Sequence, residues 1–178
     1  AKIFGSARVV SGSVYGAAQV FENATIMGNA RIFDNATVRS LATIMGNAQI
    51  FNEAVVMGEA KICNDAKVYN KAKISGKARI FDNAEAYGLC NVFDCAKVGE
   101  SATIHTSASV SDEAFIFGAS SIGGSAVIGG SCKISGNSNI TDSASIYGSA
   151  ELIDTMVTNS ARIFGSAKMS DCEISGRA

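Results

Sequence analysis

Ala24-Thr25-Ile26-Met27-Gly28-Asn29 runs directly into Ala30-Arg31-Ile32-Phe33-Asp34-Asn35. Each unit reads small residue, variable residue, aliphatic residue, variable residue, Gly or Asp, then a turn former. Outward from this pair, the aliphatic position recurs every six residues from Val14 to Leu152 without a slip. Thirty such positions lie between Ile3 and Ile174, and twenty-seven are Ile or Val, which makes the period a structural repeat. Ala86, Leu152 and Met169 are the exceptions. The position two residues earlier is Ala in twenty-three of the thirty units, so only a small group fits there.

Branched Ile and Val side chains favour extended backbone and pack on a pleated surface. Their immediate neighbours then point outward, because strand side chains alternate. Gly, Asp and Asn tolerate left-handed backbone angles and supply a corner. A strict period of six cannot hold one face of a 3.6-residue spiral, which excludes a helix. One short strand and one corner per six residues, all alike, give a wound parallel β-solenoid.

A second period of eighteen sets three sides per coil. The residue after the aliphatic position is Tyr15, Phe33, Phe51, Tyr69, Tyr87 and then His105 along one row. Met27, Met45, Cys63 and Phe81 form another, and Asn29, Asn47, Asp65 and Asn83 a third at a turn position. Coils stacked about 4.8 Å apart bring such residues into ladders, and ten coils make a triangular prism roughly 48 Å long. Three steps are one residue short, Val9 to Val14, Leu152 to Val157 and Met169 to Ile174, each absorbed by a tightened corner. The expected fold class is all-β, a single-stranded parallel β-helix. Residues 1–178 form one solenoid domain, with Ala1 and Ala178 at inward positions and no cap at either end. It is read as a fragment of a longer chain or a unit that stacks end to end.

Composition narrows the function. Hydrophobic residues make up 47% and charged residues 17%, which excludes a disordered chain. A net charge of −1 gives no general attraction to nucleic acid or acidic membranes, and no apolar run reaches membrane-helix length. No signal-peptide pattern opens the covered residues, and the compartment is left open with the cytoplasm slightly favoured. The absence of proline fits a chain with few ordinary loops. Five cysteines without ligand spacing argue against a disulfide framework, and no metal site is expected. Cys90, Cys132 and Cys172 take the small inward position and are expected to be buried; Cys95 and Cys63 face outward.

Units such as Ile26-Met27-Gly28-Asn29-Ala30-Arg31 and Ile44-Met45-Gly46-Asn47-Ala48-Gln49 resemble the hexapeptide signature of the left-handed β-helix acyltransferase superfamily. The resemblance spans the chain, and its Gly-Asn-Ala and Asn-Ala-Arg-Ile-Phe wording is similar to the YdcK-like bacterial and phage proteins. It implies left-handed winding, against the usual right-handed crossover. It also implies a homotrimer and, for an enzyme, a coenzyme A thioester as acyl donor. On that resemblance His105, the one histidine, is the candidate general base, suited by a pKa near neutrality. Asp112 or Glu113 would orient its ring from another corner. The alternative is a surface residue capping the aromatic ladder.

Three further rows carry readings of their own. Tyr15, Phe33, Phe51, Tyr69 and Tyr87 are expected to be exposed as an assembly interface, or else to be a ladder that only rigidifies the prism. Lys61, Arg79, Lys97 and Lys133, with Phe115 interrupting, form a basic stripe able to hold anions such as coenzyme A phosphates, or a solvated edge. Asp94 and Asp112 read as turn residues. Two functions emerge: a rigid scaffold, spacer or fibre segment needing no cofactor, and an acyl-CoA-dependent acyltransferase.

Overall fold

The computed structural model describes residues 1–176 and has strands as its only regular elements there. Thirty strands, nearly all two residues long, make three parallel sheets of ten strands each. The chain is a parallel β-solenoid of the left-handed triangular type, with about ten turns. Face 1 begins with β1 (Lys2–Ile3), face 2 with β2 (Arg8–Val9) and face 3 with β3 (Ser13–Val14); each coil adds one strand to each face. The register is eighteen residues through the body of the prism, as in Ile26↔Ile44 and Ile62↔Ile80.

The core is the aliphatic stack. From Val20 to Leu152 every residue at the aliphatic position has no exposed surface. Burial of each such side chain stabilises the fold by about 1.5–3 kcal/mol before entropy is subtracted. Alanine lines the inner side of each corner, with Cys90, Cys132, Ser120, Ser138 and Thr155 as buried replacements.

Corners work because one residue in each takes positive φ. Gly46 (φ 69°) turns its carbonyl to accept the Asn29 N–H of the preceding coil at 2.8 Å, and Asn52 (φ 56°) accepts that of Asn35 at 2.9 Å. The column of Gly, Asp and Asn read from the sequence is this column. Glu22, Ser40, Glu100 and Thr106 also hold positive φ, and Thr106 is the one β-branched residue to do so among the described residues. Positive φ is a genuine outlier for a β-branched side chain.

All three shortened steps fall at the corner between faces 2 and 3. Each coincides with a departure from alanine at the inward position: Gly12, Thr155 and Cys172. Gly12 takes φ 97°, and a Cβ there would meet the Ala30 carbonyl oxygen at 2.6 Å. At the other two, strands lengthen to Glu151–Ile153 and Lys168–Ser170, followed by a single positive-φ aspartate, Asp154 or Asp171. Cys172, expected to be buried, is exposed; it lies in the last coil of the described residues. Ala1 is likewise exposed, and Ala178 lies outside the described residues.

Candidate functional site

Face 3 gathers most of the residues of interest. Its outward column runs Tyr15, Phe33, Phe51, Tyr69, Tyr87 and His105 on successive coils. The ring centroids lie 4.8–5.0 Å apart along the aromatic run, and His105 follows Tyr87 at 5.4 Å. The planes stay within 15° of parallel throughout. The row was expected to be exposed, and stacking limits that exposure. Tyr15 is 46% exposed, but Phe33, Phe51, Tyr69 and Tyr87 are half-buried, each sandwiched so that mainly its edge meets solvent.

The second outward column of face 3 is polar and supports the ladder. Lys67 Nζ lies 2.9 Å from Glu85 Oε1, while the Tyr69 hydroxyl donates to Glu85 Oε2 at 2.9 Å. Burial and the Glu85 carboxylate both hold the Tyr69 hydroxyl well above its ordinary pKa. Two shallow grooves border the face. One, about 690 Å³, follows the corner to face 1 past Asp34, Asn52, Asn70 and Leu89. The other, about 510 Å³, follows the corner to face 2 past Asn29, Asn47 and Asp65, where the Asn29 amide donates to Asn47 and the Asn47 amide to the Asp65 carboxylate.

His105 ends the ring column and has two side-chain partners. Its Nδ1 lies 2.9 Å from Thr106 Oγ1, and its Nε2 lies 3.0 Å from Ser121 Oγ. The ring leans over Gly123 of the next coil: a Cβ there would come within 2.3 Å of it. Partial burial pushes the imidazole pKa below its ordinary value, so the ring is neutral at pH 7. Asp112 and Glu113 do not orient it. They stand at the corner between faces 1 and 2, where Asp112 Oδ2 accepts the Gly130 N–H at 2.6 Å.

Ser121, Thr106 and Gly123 escaped the sequence reading. The signal was a spacing of sixteen, which carries a ring from one outward column to the other column one coil on. Tyr69 reaches Glu85 by that spacing, and His105 reaches Ser121.

The basic stripe lies on face 2, not beside His105. Lys61, Arg79 and Lys97 sit in direct register, followed by Phe115 and Lys133. Among the described residues none of the four cations has a carboxylate within ion-pair distance. The Phe81 ring lies over Gly99, and Phe115 packs on Phe117 at 4.6 Å. Cys63, half-buried on the same face, has its thiol pushed up by burial. Asp94 and Asp112 both adopt positive φ, 55° and 57°, as turn residues do.

No protein-family profile matches this chain, and no curated protein matches it either.

Proposed function

We propose that the chain is a rigid structural and interaction solenoid (a scaffold, spacer or fibre segment) that assembles with further copies through the ring column of face 3. The observation that carries this reading is the unbroken stack from Tyr15 to Tyr87. Rings already fixed by stacking lose little rotamer freedom on docking, so such a face binds at low entropic cost. The bordering column places Arg31, Gln49, Lys67 and Glu85 beside the rings, and both signs of charge suit contact between identical faces. A homotrimer is the assembly that the family resemblance implies. The test is solution mass of the wild type against Phe51→Asp, with circular dichroism confirming that the variant keeps its fold. Loss of assembly supports the face 3 interface. An unchanged oligomer removes it and leaves end-to-end stacking.

A second reading, acyl transfer from a coenzyme A thioester with His105 as general base, draws on the neutral imidazole at the end of that column. The stripe of Lys61, Arg79, Lys97 and Lys133 would take the phosphates. It lies on another face of the same copy, so this reading needs a neighbouring copy to bring stripe and histidine together. His105→Ala would then abolish transfer with the oligomer intact; full retained activity would end the assignment.

A further inference from the structure

We propose that Ser121 and His105 form a nucleophile–base pair that takes short acyl groups from small carboxylic esters onto Ser121 Oγ. The pair needs no neighbouring copy, so it stands or falls apart from the assembly reading.

Both ring partners are hydroxyls, which satisfy either tautomer, and the one the pair requires has its proton on Nδ1. Thr106 Oγ1 can accept from Nδ1–H, which leaves the Nε2 lone pair facing the Ser121 hydroxyl at 3.0 Å. Nucleophile, base and a third group fixing the base is the arrangement that activates a serine. A hydroxyl here takes the orienting place that a carboxylate holds elsewhere. The depressed imidazole pKa keeps that lone pair available at neutral pH.

Two features of the backbone serve this arrangement. Thr106 holds φ 58°, a conformation costly for a β-branched residue, in a column otherwise made of Gly, Asp and Asn. Such outliers cluster where function over-determines the backbone. Gly123 has ordinary φ, and the nearest atoms a Cβ there would meet are those of the His105 ring. Gly123 lies buried beneath that ring, and the column continues one coil on with the half-buried Thr141, past which a short acyl chain would lie.

The chemistry balances without an added cofactor. As Ser121 Oγ bonds to the ester carbonyl carbon, its proton passes to His105 Nε2 and the carbonyl π pair moves onto oxygen. Collapse breaks the bond to the alkoxy group, which leaves with the proton from Nε2. Water repeats the cycle, releasing the carboxylic acid and restoring Ser121. The backbone N–H groups of His105 and Gly123 donate to the Ile122 and Ile140 carbonyls, so the oxyanion must rely on side chains in register with Ser121, Thr103 and Asn139. Turnover is therefore slow, since a preorganised oxyanion site is the largest catalytic contribution in acyl transfer.

The experiment is p-nitrophenyl acetate hydrolysis by the full chain, with acid quenching and peptide mass spectrometry to locate the acetyl group. The expected result is acetylation at Ser121, with hydrolysis and acetylation falling by roughly tenfold or more in Ser121→Ala and His105→Gln. The wild-type rate should rise with pH as the imidazole loses its proton. Gly123→Ala, which keeps both reacting side chains in the sequence but pushes the imidazole away from Ser121, should lose activity with an unchanged circular dichroism spectrum. Activity that survives Ser121→Ala but not His105→Gln would overturn the proposal in favour of a base acting without a serine. Acetylation confined to lysines would overturn it as well.

Discussion

Ile80 has no exposed surface and is stacked between Ile62 and Val98, so Ile80→Ala removes packed atoms at a site whose neighbours are held by their own coils. The expected loss is about 2–5 kcal/mol, measured as a shift in chemical denaturation. Thr106 gives the opposite sign. Its left-handed backbone suits asparagine, so Thr106→Asn is expected to raise stability by about 1 kcal/mol while changing the hold on the His105 ring. His105 adds a pH dependence. Its folded pKa lies below the unfolded value, so between the two the unfolded chain binds more protons. Stability is therefore full above about pH 6.5 and falls as pH drops through the folded pKa. Denaturation midpoints against pH should show this step in the wild type and lose it in His105→Gln.

The corner between faces 2 and 3 shows how a repeat accommodates a missing residue. In a regular corner the inward residue bonds within its own turn, as Ala36 N–H does to the Phe33 carbonyl at 3.2 Å. At the shortened corner Thr155 N–H instead donates to Ser138 Oγ of the preceding coil at 3.1 Å, and that hydroxyl donates onward to the Ser135 carbonyl at 2.7 Å. Ser138→Ala would leave a buried N–H without an acceptor and is expected to cost about 1–3 kcal/mol. Ser120→Ala, at a corner of full length, removes only a donor: the Gly136 carbonyl keeps the Ala119 N–H, and the Phe117 carbonyl loses its side-chain partner, but no N–H is orphaned. It should cost less than half as much, and comparing the two melts checks this. The six-residue period made the strands, the corners and the position of each short step legible, because aliphatic burial and positive-φ tolerance are written in residue type. Why Ser138 replaces alanine was not legible, since the reason lies seventeen residues on, in another coil. The partners of His105 were hidden similarly: Ser121 is one small polar residue among many until the lean of the ring singles it out.

At the scale of the molecule, each coil touches only the coils above and below it, so the solenoid behaves as a one-dimensional stack. The connections between strands are short corners, and the features that distinguish one face from another are columns of side chains rather than loops. Face 3 carries rings and His105, whereas face 2 carries cations in register and the rings of Phe81, Phe115 and Phe117. Three in-register cations without carboxylate partners repel one another at strand spacing, and adding salt should relieve that repulsion. The ring column asks for a partner surface instead. Sedimentation or light-scattering mass of the full chain, run beside Phe51→Asp and with coenzyme A and acetyl-CoA titrated into both, addresses this directly. The account expects a multiple of the 18.3 kDa chain that falls to a single chain in Phe51→Asp, independent of the thioester. A wild type that is monomeric, or an assembly that Phe51→Asp leaves intact, would contradict it.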